Sequence, residues 1–151
     1  MELTSNAFTE GATIPKKHTA DGADDSPPLQ WHGAPPTAKS FALICDDPDA
    51  PRGTWVHWVL FNLPADTSEL PEGVPTTGKL AGGAVQGKND FGKLGYGGPS
   101  PPKGKPHRYF FKIYALDAVL DLKEGANKDQ LEKSMAGHIL AEGQLMGTYG
   151  R

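Results

Sequence analysis

Two stretches of the chain are apolar at odd and even positions alike, the pattern of a strand covered on both faces. The first, Ser40 to Cys45, runs into two acids, Asp46 and Asp47. The second, Thr54 to Leu63, puts Trp55, His57, Val59, Phe61 and Leu63 on one parity and Val56, Trp58, Leu60 and Asn62 on the other. Aromatics on opposite faces suit a central strand of a sandwich. Between the two runs, Asp47-Pro48-Asp49-Ala50-Pro51 is an acidic turn stiffened by proline. A third run, His107 to Leu116, alternates. Its odd face carries His107, Tyr109, Phe111, Ile113 and Ala115, and its even face, beginning with Arg108, is more mixed. Weaker signals flank these runs. Leu3, Phe8 and Ile14 mark an N-terminal strand or arm, and Leu29-Gln30-Trp31 is a short apolar piece.

The period changes near the end. Asn127 with Gln130 three residues on is a helix-start signature, and Leu131 and Met135 follow at helical spacing. His138, Ile139, Leu140, Leu145 and Met146 suit a second short helix, frayed by Gly143 and stopped near Gly147. With 19 glycines and 14 prolines the chain has many turns, hence many short strands. The length fits a single domain over 1–151, mainly β with short peripheral helices near the C-terminus.

Composition narrows the function. The net charge is -3 and no basic cluster stands out, which argues against nucleic acid as partner. The lone cysteine, Cys45, excludes an internal disulfide framework and most cysteine-based metal sites. No apolar stretch approaches membrane-spanning length, so no integral membrane association is expected. The opening MELTSNAFTEGATIP has neither a basic start nor an apolar h-region, and a cytoplasmic location is the expectation.

The polar residues of the strong strands are the candidate chemistry. Asp47 and Asp49 lie at one strand end, His57 in the next strand, and His107 and Tyr109 at the start of the third. Each has a plain structural role open to it: a core histidine, a turn cap, a strand tyrosine. A long glycine- and proline-rich stretch from Gln86 to Pro106 leads straight into His107, and loops of that length in compact domains usually carry function. Two imidazoles, a phenol and glycine amides can bind an anion, with Asp47 orienting His57. No arginine is placed to clamp it bidentately. Two histidines and an aspartate are also a divalent-metal set, but no HxH or HxxxH pair exists, and no cofactor or metal is expected. Ser100 is the one nucleophile near His107, and it lacks a nucleophile-elbow context, so a weak hydrolase using the His/Asp pocket is a lesser alternative.

Several motifs occur together in one order. They are Asp47-Pro48-Asp49-Ala50-Pro51 with His57-Trp58, Asn89-Asp90-Phe91-Gly92, Gly95-Tyr96-Gly97-Gly98-Pro99, Pro101-Pro102-Lys103-Gly104 and His107-Arg108-Tyr109. Together they resemble the phosphatidylethanolamine-binding protein family, also called Raf kinase inhibitor protein-like. His138 to Glu142 and Gly147-Thr148-Tyr149 resemble its bacterial and archaeal branch. The resemblance implies a Greek-key antiparallel β-sandwich. It also implies a non-enzymatic pocket for a small anionic ligand such as phosphate, phosphorylethanolamine or a carboxylate. By motif, Asp47, His57, His107 and Tyr109 match the pocket residues, Pro51 and Pro101 its mouth, and Gly98 its wall; Asp49 is kept as a further candidate. A kinase or protease inhibited by the protein is the partner expectation that the resemblance brings, and a homodimer is a further partner expectation. Ser100 stands where many prokaryotic members carry cysteine.

Overall fold

The computed structural model describes Met1–Arg151. Eight strands form two antiparallel sheets. In chain order they are β1 (Glu2–Thr4), β2 (Leu29–His32), β3 (Ser40–Asp47), β4 (Trp55–Pro64), β5 (Glu69–Leu70), β6 (Val85–Gln86), β7 (His107–Leu116) and β8 (Ile139–Tyr149). One α-helix, α1 (Lys128–Met135), precedes β8. The small sheet has the order β1-β2-β5 and the large one β6-β4-β3-β7-β8. Hairpin neighbours β3 and β4 lie side by side, and the chain returns from β6 through a long loop to set β7 against the other edge of β3.

Three layers result. Phe41, Leu43 and Cys45 of β3 face the small sheet, where they pack with Trp31, Leu29 and Leu70. Ala42 and Ile44 face the other way, onto Leu131 and Met135 of α1 and Leu120 and Ala126 of the segment before it. β3 is therefore buried on both faces, as its unbroken apolar run requires. Asp46 and Asp47 continue that alternation. Asp46 turns toward α1, where Lys128 Nζ lies 2.8 Å and Lys112 Nζ 3.4 Å from its carboxylate. Asp47 turns to the small-sheet side.

β4 does not keep strict alternation. Cys45 pairs with Trp58 and Asp46 with Val56, which leaves His57 as an extra residue in a β-bulge. A second irregularity falls at Asn62, whose φ of 57° is left-handed. Asparagine tolerates that conformation. Its side chain is spent on the backbone of Leu120, in both directions, at 2.9 and 2.8 Å.

Helix α1 begins with the reciprocal capping pair its sequence predicts: Asn127 Oδ1 accepts from Gln130 N, and Gln130 Oε1 accepts from Asn127 N, both at 2.9 Å. Asn127→Ala is expected to cost about 1 kcal/mol by urea unfolding; a loss below a few tenths would mean that packing of Leu131 and Met135 alone sets the helix start.

The second predicted helix is absent. Residues 139–149 are strand β8, paired with β7 from Leu116↔Ile139 to His107↔Tyr149. The glycines that read as helix breakers are close-approach points. A Cβ on Gly143 would lie 2.8 Å from the Met1 carbonyl oxygen, and one on Gly147 would run into Phe8 and Ile14. The N-terminal arm crosses the strand there, with Gly11 N donating to Met146 O and Ile14 N to Thr148 O, both at 2.7 Å.

Candidate functional site

The pocket lies where β3, β4 and β7 end beside the glycine-rich loop. The loop reaches it by extending the β4 edge. Asp90 N donates to Val56 O at 2.9 Å, and Val56 N donates to Asp90 Oδ2 at 2.7 Å. Gly97 N donates to His57 O at 2.9 Å, and His57 Nδ1 donates to Gly97 O at 2.6 Å. Asn89 holds the intervening turn. Its Oδ1 accepts from Phe91 N and Lys93 N, and its Nδ2 donates to Gly95 O. Gly97 has to be glycine for closeness, since a Cβ there would lie 2.6 Å from the Phe91 ring.

The bulge decides where His57 points. Trp58 sits in the core between the sheets, and His57 lies on the same side, its ring centroid 5.2 Å from that of Tyr109 and 5.4 Å from that of Phe91. Consecutive residues thus share a face, which strict alternation would forbid. From β7, His107 and Tyr109 reach the same space two residues apart, their rings near-parallel at 6.5 Å. Asp47, from the end of β3, accepts a hydrogen bond from His107 Nδ1 at 2.7 Å through Oδ2, while its Oδ1 caps the turn by accepting from Asp49 N at 2.7 Å.

These side chains line a cavity of about 170 Å³ with Ala50, Pro51, Trp55, Phe91, Ser100, Pro101 and Pro102. Asp47, His57, His107 and Tyr109 are between 1% and 8% exposed, and most polar atoms of such side chains are hydrogen-bonded within the protein. Both Nδ1 atoms have a partner. His57 Nε2, His107 Nε2 and Tyr109 Oη have none within the protein, and all three belong to side chains on the cavity wall. Burial pulls the His57 imidazole below its ordinary value of 6.5, against the pull of the Gly97 carbonyl and of Asp47, Asp90 and Asp24. Burial, then Asp47, pushes the Tyr109 phenol up well beyond its usual range.

Because His57 is harder to protonate folded than unfolded, protons are taken up on unfolding as the pH falls through 6.5. Its contribution to stability is complete above that pH and is lost on acidification, with a slope of at most about 1.4 kcal/mol per pH unit. Urea unfolding at pH 7.5 and 5 should therefore show less acid destabilisation in His57→Gln than in the parent chain. Equal losses in the two would contradict the buried neutral imidazole.

Most of the residues named from the sequence converge: Asp47, Pro51, His57, Pro101, His107 and Tyr109 all line the cavity. Three expectations need correction. Asp47 orients His107 rather than His57, because the bulge turns His57 Nδ1 to the Gly97 carbonyl. Asp49 points away from the cavity. Its carboxylate takes Nε and Nη2 of Arg108 and the Arg108 backbone N–H, all at 2.9 Å, and Arg108 holds it down to about 2. Gly98 lines a neighbouring cavity of about 610 Å³, which shares Phe91 and Ser100 with the first. There its amide donates to Asp24 Oδ1 at 2.8 Å. The neighbouring cavity is the larger, yet the unpaired imidazole nitrogens belong to the smaller one, and the smaller one is the candidate site.

Trp55, Phe91, Ala50 and Pro102 were not foreseen as lining residues. Trp55 reads as a core strand aromatic but is 37% exposed at the mouth, edge-on to the 41% exposed Phe91 at 5.5 Å. Its place next to the proline turn and two residues before His57 was the available signal. Arg151 was missed too: it donates to Pro101 O at 3.0 Å and to Ser100 Oγ at 3.3 Å while paired with Asp21, and so braces the proline wall. No three His, Cys, Asp or Glu side chains are grouped so as to hold a metal ion. No helix is long and apolar enough to cross a membrane.

A family profile described as phosphatidylethanolamine-binding protein matches residues 4–150, nearly the whole chain and every strand of the pocket. The chain belongs to the phosphatidylethanolamine-binding protein family. A UPF0098 protein of Methanothermobacter thermautotrophicus is 55% identical over 151 residues, covering 100% of this chain and 99% of the relative. The UPF0098 protein of Aquifex aeolicus is 48% identical, covering 100% and 89%. Among solved structures, a phosphatidylethanolamine-binding protein homologue from Chlamydia trachomatis superposes with a TM-score of 0.91 at 46% identity, over 99% of this chain and 97% of that one. E. coli YbcL, described as a new member of the mammalian family, superposes with a TM-score of 0.92 at 36% identity, over 99% and 98%. The two-sheet architecture is thus that of the phosphatidylethanolamine-binding protein fold.

Proposed function

We propose that this family member binds a small anion, phosphate or a phosphorylated headgroup, in the pocket of His57, His107 and Tyr109, and serves a regulatory or inhibitory role without catalysis. One observation carries the reading. Three polar atoms, two imidazole nitrogens and a phenol oxygen, come together at one small cavity with no hydrogen-bond partner inside the protein, and are left to whatever enters the cavity. A small oxyanion offers acceptors to the imidazole and phenol donors among them.

Hydrolysis needs a nucleophile beside a base. Ser100 Oγ accepts from Arg151 and bonds to neither imidazole, which weighs against the enzymatic alternative. A protein partner such as a kinase or protease is the second reading. It is favoured by the exposed Trp55 and Phe91 at the rim, which a partner would cover when the pocket is occupied. A cytoplasmic setting goes with both.

Titration with phosphate and phosphorylethanolamine, followed through the imidazole NMR signals, tests the pocket. The signals of His57 and His107 should shift together and saturate in the millimolar range or below. Signals unmoved at millimolar ligand would dispose of the anion reading.

A further inference from the structure

The two imidazoles of the pocket are not equivalent. His57 Nδ1 lies 2.6 Å from a backbone carbonyl. A carbonyl only accepts, so this nitrogen carries the hydrogen, and in the neutral ring Nε2 is left with a lone pair. The carbonyl has no charge with which to offset a second proton, and Phe91 and Tyr109 flank the ring. His107 Nδ1 instead meets the Asp47 carboxylate, which can balance an imidazolium whose Nε2–H then points to the ligand. Tyr109, its phenol held protonated, is a further donor.

The cavity wall contains no lysine or arginine. Around His57 the ionisable groups are Asp47 from β3, Asp90 and Asp24 from the flanking loops, and Tyr109 and His107 from β7. Around His107 they are Asp47, Asp49 with its Arg108, and Tyr149 across the β8 pairing. Arg151, the cation behind the proline wall, is committed to Asp21. A doubly charged oxyanion would therefore face a buried carboxylate with at most one imidazolium to balance it, and would set an oxygen lone pair against the lone pair of His57 Nε2.

We propose that the pocket selects a small phosphate monoester in its singly charged, protonated form, with the P–OH donated to His57 Nε2 and the other oxygens taking hydrogen bonds from His107 and Tyr109. This rests on the anion-binding reading above and narrows it. The site takes a terminal phosphate and discriminates against a diester, which has no P–OH to give. Binding a diester would force a proton onto His57 at the end of a neutral carbonyl.

The proton balance follows. The second ionisation of a phosphate monoester lies near pH 6, so at pH 7.5 the dissolved ligand is mostly dianion and the ligand itself takes up close to one proton on binding, in addition to any that His107 gains, whereas at pH 5 the ligand takes up about none. Affinity then falls by at least about tenfold per pH unit above the ligand's own ionisation.

Calorimetry with phosphorylethanolamine at pH 7.5, in two buffers of unlike ionisation heat, counts that proton. The same titration at pH 6 with glycerophosphorylethanolamine, which has the same amine but a diester, should give at least about tenfold weaker binding, the size of one lost charge-assisted hydrogen bond. In the free protein, long-range 1H–15N correlations should show His57 as the Nδ1–H tautomer at pH 7.5. Monoester binding without proton uptake at pH 7.5, a diester bound as tightly as the monoester, or an Nε2–H or doubly protonated His57 would each overturn the inference while leaving anion binding in place. No binding of either ligand would overturn the anion reading and this inference with it.

Discussion

Replacing Asp47 with alanine is expected to remove about 3 kcal/mol of stability and to weaken phosphate binding at least about tenfold. Both effects come from one carboxylate. Oδ2 holds His107 Nδ1 and Oδ1 holds the Asp49 amide at the turn, each at 2.7 Å and both out of water. Truncation leaves a buried imidazole N–H unsatisfied, frees the ring to rotate and loosens the turn that carries Pro51. Asp47→Asn separates the parts. Its amide oxygen can still accept from His107, so most of the stability should return, while the charge that balances a protonated His107 does not. Urea unfolding and the phosphate titration read the two quantities. Affinity unchanged within twofold in Asp47→Ala would mean that His107 needs no orienting partner.

Its neighbour should behave in the opposite way. Removing both cations beside Asp46, as Lys112→Met with Lys128→Met, strands a carboxylate that is nearly out of water between β3 and α1. An uncompensated buried charge of this kind costs about 3 kcal/mol. Anion affinity should stay within about twofold, since the pair lies on the far face of the sheet and sites on separate networks act almost independently. Adding Asp46→Asn to the double variant should recover part of the loss. A double variant as stable as the parent would show that Asp46 is reached by water, and a weakened titration would show that the two faces are coupled.

The strands β3 and β7 could be read directly from the chain because burial there agrees with local pattern: double parity for a strand between two layers, alternation for one with a mixed outer face. Helix α1 was legible for a similar reason, since Asn127 and Gln130 state the cap in four residues. β8 was not. Its exposed half carries Ile139 and Leu140 side by side, and its glycines answer to a distant partner, the N-terminal arm, that no local window contains. The site residues were recognisable as a set, while their pairing was not. Which imidazole Asp47 holds depends on the bulge at His57, a property of two strands in register rather than of either one. Trp55 was misjudged because an aromatic residue in an apolar run looks like core, and Phe91, in the long loop, was overlooked because only the geometry of that loop carries it to the rim.

The bulge also bears on how this pocket can change over evolutionary time. It sets two adjacent residues on one face of β4. His57 is spent on the cavity wall, and Trp58 is an anchor of the core whose Nε1 donates to the buried Gln86 at 2.8 Å. A variant that alters the first residue or the local register disturbs the second, so the strand side of the pocket has little room to drift. Phe91, Ser100 and the two prolines beyond it belong to a connecting segment outside the paired strands. New ligand preferences within this scaffold should arise by rewriting that segment, with the histidine and tryptophan carried along unaltered.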